Sequence, residues 1–575
     1  MKSKQEYIKK FESSLRTEYF VKGDKQNSIV EMMKKTHTPG ISVAVIQDYQ
    51  LAFSKGYGIS DMEKSSPVNE STIFQAASIS KPVTCMAVMK LAQDGKLDLD
   101  EDINSYLKSW KLKYDGFNEK NKVTLRNLLS HTAGINVHGF PGYNFNSKIP
   151  TLIQVLNGES PANTAKITLS MEPNTKFSYS GGGYTIVQQV LVDQLGKKFE
   201  DIMKELVLEP LKMNTSFYTN APLDNSYIPN VTAGHNIDGG CIEGKRHVYP
   251  EMAAAGLWTT AEDLAKFVLE IQKSLKGQPN RIISKDFMQF MAIPILTGEY
   301  NMGLENQKVA QEYLLGHDGG NEGYCCSMLF HKEKGYGLIL MTNSNNGYQM
   351  KLPILRSAAT AFGWNNILRP DYEKSELSAE TKNLFMGSYK LEFDISIKVF
   401  ADNNKLFYKI GYFEPKKLEY VGNYTFIDTD RKNKFEFVKD ENKIYMNESI
   451  LESLNDGEKL ACDYIEEGNI EQAVNIYKRI IEEKNIIKFS LEGKLNNAGY
   501  NCLGNNNEAA INLLKVNTIL FPDSANAWDS LGEAYFENGQ YELSIEAMKN
   551  SLQYNQNNKN ALFFIEKAKK YLMHQ

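Results

Sequence analysis

"FQAASISKPVTCMAVMKLAQ", residues 74–93, holds a polar knot that runs straight into an apolar helical pattern. Val83, Ala87, Val88 and Leu91 recur at helical spacing, and Pro82 sits in the first turn, a position proline tolerates. Ser78 and Lys81 stand three residues apart, on one side of that turn. Two readings are open. Ser78 is an N-cap with Lys81 a solvated first-turn residue, or it is a nucleophile with an amine base one turn away. Free N–H groups and the positive end of the helix dipole favour negative charge at such a start. A lysine desolvated there has a lowered pKa and can act as a base toward serine. Ser-x-x-Lys by itself decides nothing: Ser105 and Lys108 form a second copy without supporting context.

At 575 residues the chain is too long for one core, so several domains are expected. A net charge of −5 is small for this length and gives no electrostatic case for nucleic acid or an anionic membrane. The charged N-terminus, "MKSKQEYIKKFESSLRTEYFVKG", has no apolar core segment, and no stretch reaches the ~18 apolar residues of a membrane helix. The six cysteines lack metal spacing and read as free buried thiols. A cytoplasmic protein with neither metal nor cofactor is the expectation.

Residues 1–24 suit a short polar helical leader. From 25 to 368 strand-like and helix-like segments alternate: "GISVAVIQDYQLAFSKGYG" reads as two strands with a turn at Gln47–Gln50, and "GYCCSMLFHKE" and "GYGLILMTNS" as two more before the helix-like "KLPILRSAATAF". A polar, proline-bearing linker opens residues 369–450, where alternation places Ile395, Ile397 and Val399 on one face, and Phe435 and Phe437 on one face, of a small antiparallel β domain. From 451 to 575 the pattern is helical and repeats. Trp528, Leu531, Gly532 and Tyr535 fall where a tetratricopeptide repeat carries its first-helix signature, and Ala510–Ile511 recurs as Ser544–Ile545, 34 residues on. Such repeats stack into a surface for a protein or peptide partner.

Six segments lift residues 25–365 out of ambiguity: "PGISVAVI" (39–46), "FQAASISKPVT" (74–84), "LLSHTAGI" (128–135), "EPNTKFSYSGGGY" (172–184), "AAAGLWTTAEDLAKF" (253–267) and "GHDGGNEGY" (316–324). In that order they resemble the serine β-lactamase and penicillin-binding-protein superfamily, particularly class C β-lactamase-like hydrolases and esterases. The resemblance implies an α/β (α+β) domain, an antiparallel sheet with helices on both sides and a helical subdomain. It implies Ser78 as acylated nucleophile, Lys81 as its partner and Tyr179 as general base. Tyr179 opens the family's Tyr-x-Asn element, whose last position holds Gly181 here. A strict Tyr-x-Asn at Tyr218 lies in a non-catalytic stretch. The family's Lys-Thr-Gly becomes His317-Asp318-Gly319, with His317 expected to bond Tyr179 or steer a substrate carboxylate. The backbone N–H groups of Ser78 and Gly320 are the implied oxyanion hole. His131 and the acidic run 98–102 are expected to be structural and solvated, respectively.

The expected activity is a serine hydrolase forming a Ser78 acyl-enzyme on amide or ester bonds: a D-residue peptide, a carboxylic ester or a β-lactam-like substrate. The rivals are a degenerate hydrolase serving as a repeat-based scaffold, motivated by Gly181, and an acyltransferase with the same nucleophile.

Overall fold

The computed structural model describes residues 4–117, 120–223, 230–296, 300–392, 394–403, 405–430, 432–484, 488–556 and 558–573. The chain divides into two compact units, residues 1–17 with 25–369, and residues 18–24 with 370–575. The expected leader is therefore split. Its helix, Lys4–Glu12, buries Ile8 and Phe11 within the first unit, whereas Val21 bridges to Tyr372 in the second.

The first unit is built on a seven-stranded antiparallel sheet. Its order is Ser66–Pro67, Gln50–Asp61, Gly40–Gln47, Gly337–Thr342, Tyr324–Phe330, Glu312–Asn321, Glu305–Val309. The turn read at Gln47–Gln50 joins the first hairpin, and Ile41 pairs across the sheet with Thr342. Side chains alternate between two cores: Ile41, Val43, Val45, Leu338 and Leu340 face one, Ala44, Ile46, Ile339 and Met341 the other. With both faces covered, these strands read as near-continuous apolar runs. The helix Tyr348–Phe362 packs one face, and helices Ser80–Gln93, Gly181–Leu195 and Ala261–Leu275 belong to the other core. A small sheet, Phe74–Ala77 with Leu257–Thr259 and Phe217–Tyr218, carries the chain into the Ser78 turn. Tyr218 is buried there against Phe199, with ring centroids 5.3 Å apart.

In the second unit eight strands from Gly387 to Ser453 close into an antiparallel barrel. Ile397, Val399, Tyr408, Phe426 and Phe435 fill it, and Phe385 of the helix Ala379–Phe385 joins them. Ile395 departs from the expected face: it precedes its strand and packs on the core of the following helices. The last strand, Ser449–Ser453, extends past residue 450, so the chain is not wholly helical from 451. Alternation in so short a segment is too weak to outvote the helical pattern beyond it. Helices then run from Ala461 to Met573, and Ala525–Glu537 packs on Tyr541–Tyr554. At Gly532 a Cβ would stand 2.8 Å from Met548, so glycine permits the close approach of that pair.

Among the described residues no helix is long and apolar enough to cross a membrane. All six cysteines are free, and five of them are buried.

Candidate active site

Ser78 sits just before its helix, not on it: the helix is Ser80–Gln93, and its N-cap position is Ile79, with no side-chain cap. The corner is made at Ala77, whose φ of 49° puts a non-glycine residue in the left-handed region. Such conformations cost on the order of 1–2 kcal/mol and persist only where neighbours hold them. Ser80 supplies the hold, its hydroxyl donating to Ala77 O at 2.6 Å and accepting from the Leu257 N–H at 2.9 Å. Ser78 is thereby left half-buried at the wall of a cavity of about 1310 Å³.

The helix behind Ser78 is buried almost all round, so its second residue, Lys81, is carried into the core and is 2% exposed. Its Nζ lies 2.9 Å from Ser78 Oγ and 2.9 Å from Ala254 O. Burial pushes the amine down to about 7, against a smaller opposing pull from Glu305. A lysine at that value is partly neutral at physiological pH and can take a proton from serine.

Tyr179 comes from the segment before the helix Gly181–Leu195. Ser180 caps that helix, its hydroxyl accepting from the Gly183 N–H at 3.0 Å. Tyr179 lines the cavity together with Ser78, and Lys81 Nζ lies 5.0 Å from its ring centre. Burial, the largest effect, pushes the phenol well above its ordinary value. This runs against the expectation that Tyr179 loses its proton readily: desolvation outweighs the opposing effect of Ser78, so Tyr179 is suited to donate and Lys81 to accept.

His131 orients this segment. It is 2% exposed, accepts the Ser180 N–H on Nδ1 at 3.1 Å and lies against Tyr179 with ring centroids 4.2 Å apart. The N–H it accepts places its own proton on Nε2, which has no partner among the described residues. At Gly181 a Cβ would stand 2.8 Å from Phe140 Cε2 and 3.2 Å from His138 O. The space of the family's Asn side chain is thus taken by the 138–140 segment, whose His138 O also accepts the Gly181 N–H at 2.9 Å.

His317 lies on Glu312–Asn321, 1% exposed. Its Nδ1 is 2.5 Å from Asp318 O, a pure acceptor, so Nδ1 carries the proton. Nε2 then accepts from the Tyr300 hydroxyl at 3.0 Å. Burial and Lys81 push the imidazole down to about 3, so it is neutral. Both nitrogens are occupied, and the Tyr179 ring centre is 6.2 Å away; neither the expected bond to Tyr179 nor a charge for a carboxylate is present. Gly319 lets this strand pass the nucleophile strand, since a Cβ there would meet Ala76 O at 2.2 Å. Gly320 lines the cavity together with Ser78.

Four residues of this neighbourhood have no motif in the sequence: Tyr300, Glu305, Gln307 and Lys351. Glu305 stands 3.8 Å from His317 Nδ1, and burial, then Asp318, pushes its carboxyl up to about 7. Only strand pairing, Glu305 with Gly316, brings it beside the histidine. The second Ser-x-x-Lys is elsewhere and ordinary: Ser105 bonds Glu101, and Lys108 Nζ bonds Asp193 O. In the acidic run Asp100 pairs with Arg126 at 2.6 Å and Asp102 caps the helix Ile103–Tyr106. No cluster of His, Cys, Asp and Glu able to hold a metal occurs among the described residues.

Residues 26–360 match the family profile described as Beta-lactamase. Protein flp of Staphylococcus aureus (strain MRSA252) is 26% identical over 337 residues, 56% of this chain and 62% of that protein. The chain thus spans less than two thirds of the length of that relative. Penicillin-binding protein 4* of Bacillus subtilis (strain 168) is 22% identical over 407 residues, 67% of this chain and 86% of that protein. Among solved structures, the octameric penicillin-binding protein homologue from Pyrococcus abyssi aligns with a TM-score of 0.50 at 22% identity. That match covers 74% of this chain and 98% of the other, a likeness of fold.

Proposed function

The chain belongs to the beta-lactamase family, serine hydrolases at the coarse level of fold, and we propose that it hydrolyses amide or ester bonds through a Ser78 acyl-enzyme. The observation that carries this is the 2.9 Å contact between a buried, pKa-lowered Lys81 and Ser78 Oγ.

Ser78 Oγ attacks the substrate carbonyl carbon while its proton passes to neutral Lys81. The C–N or C–O bond then breaks, the leaving group takes the Tyr179 hydroxyl proton, and Tyr179 recovers one from Lys81. Water repeats the sequence in the second half: its oxygen bonds the acyl carbon, its proton goes to Lys81, and Ser78 Oγ departs and is reprotonated. The N–H groups of Ser78 and Gly320 stabilise the intermediate oxyanion, each such donor contributing about 3 kcal/mol. D-residue peptides, small carboxylic esters and β-lactam-like rings all present the required carbonyl. The paired helices beyond residue 525 serve, on this reading, as a separate surface for a protein or peptide.

The test is labelling with a fluorescent fluorophosphonate, adduct mapping, and p-nitrophenyl acetate turnover by wild type and Ser78→Ala. Label on Ser78 and loss of turnover in the variant are expected. Turnover undiminished in Ser78→Ala overturns the assignment. A protein that neither labels nor turns over any ester favours the scaffold reading.

A further inference from the structure

In the first unit the loop 109–113 and the stretch 157–168 line a second cavity, of about 350 Å³, which shares no lining residue with the one holding Ser78. Both walls are held from behind. Asp193 Oδ2 accepts the Lys108 and Ser109 N–H groups at 2.6 and 2.9 Å, and the Asn104 side chain exchanges two 2.9 Å hydrogen bonds with the Leu112 backbone. Asn136 Nδ2 donates to Lys166 O and Asn136 Oδ1 accepts the Thr168 N–H, both at 2.8 Å. Trp110 stands in the wall with its Nε1 committed to Asn157 Oδ1 at 3.0 Å, so the indole offers an occupant only its ring. Four charged residues line the space: Lys111, Lys113, Lys166 and Glu159. Lys111 Nζ is fixed by Asn104 O and Leu107 O, whereas Lys113 and Lys166 are exposed. None of these three lysines has a carboxylate partner among the described residues. Glu159 accepts from Asn157 Nδ2 at 3.1 Å. The lining therefore sets three positive charges against one negative.

We propose that this cavity binds a phosphate monoester carrying a planar ring, of mononucleotide size, with the three lysines serving the phosphate and Trp110 the ring. The inference goes beyond the Ser78 reading and does not rest on it. A phosphate monoester carries close to two negative charges at neutral pH, which matches the excess on the lining; a single carboxylate supplies half of that. Ammonium groups without carboxylate partners have no ion pair to surrender when they meet it. Lysine binds phosphate as a point charge and does not need the two-pronged geometry of arginine. An indole face stacks on a flat base whatever its identity. The volume lies at the low end for ligand cavities, roughly 300–1,000 Å³, and suits one base with its sugar and phosphate.

The test is calorimetric titration of the full-length protein with adenosine 5′-monophosphate, adenosine and inorganic phosphate. The monophosphate is expected to bind at least tenfold more tightly than either fragment, and more weakly as salt is added. Lys113→Glu combined with Lys166→Glu should cost tenfold or more of that affinity. Trp110→Leu should cost about fivefold or more for the monophosphate and little for inorganic phosphate, whereas Trp110→Phe, which keeps a flat ring, retains most of it. Thermal melts confirm that each variant is folded. No binding of the monophosphate at millimolar concentration, equal affinity for inorganic phosphate, or undiminished affinity in the folded double variant overturns the inference. So does loss of binding once Ser78 carries the fluorophosphonate adduct, because the ligand then occupies the catalytic cavity. Binding is read without turnover, so failure of the Ser78 assignment leaves this site standing.

Discussion

Lys81 Nζ lies 2.9 Å from Ser78 Oγ inside the core, where burial lowers the amine to about 7. The base must be neutral to accept the serine proton. Activity on a neutral ester is therefore expected to rise with pH through an acid limb centred near 7 in kcat/KM. A carboxylate favours the charged lysine, so Glu305→Gln shifts that limb to lower pH. A profile flat from pH 5 to 9 contradicts the role. Lys81→Met should lower kcat/KM by roughly 10³-fold or more.

Tyr179 is held protonated beside Ser78 and fits the role of acid toward the leaving group. Tyr179→Phe is expected to reduce amide hydrolysis by ~10²–10⁴-fold. The loss on p-nitrophenyl esters should be smaller, because that leaving group departs without protonation. Equal losses on the two substrates argue for an orienting role instead.

Phe140 occupies the space a side chain at position 181 would need, with a Cβ only 2.8 Å from its ring. Gly181→Asn is expected to destabilise the fold by about 1–3 kcal/mol through overpacking. Combining it with Phe140→Ala should recover part of the loss. Thermal melts of the two variants and the double variant check the coupling.

Glu251 is fully buried, neither of its carboxyl oxygens has a partner among the described residues, and burial pushes it up to about 8. An acid raised above its unfolded value of 4.5 contributes its full stability below that pH and loses it as pH climbs through 8. Glu251→Gln should stabilise the protein at pH 8 by about 1–3 kcal/mol and change little at pH 4.5. Denaturant unfolding at the two pH values tests the sign.

Much of this was legible from residue pattern. The hairpin at Gln47–Gln50, the helix after Ser78 and the segments carrying Ser78, Tyr179 and His317 follow from periodicity, turn residues and ordered motifs. Less legible was the 18–24 stretch, which belongs to the second unit and whose Val21 forms an isolated bridge with Tyr372, some 350 residues away. The barrel's final strand was hidden in part for a similar reason, since the pairing that closes it onto Gly387–Lys390 is non-local.

Sequence alone determined which side chains can act: a serine, a lysine one turn on, a tyrosine, and a histidine where the family has lysine. Tertiary structure decided their states. Burial lowered the Lys81 amine to about 7 and kept Tyr179 protonated, and burial with two hydrogen bonds left His317 neutral and occupied. Strand register placed Glu305 beside it. Protonation depends on solvent exclusion and on charges gathered from distant segments, and neither quantity exists until the chain has folded.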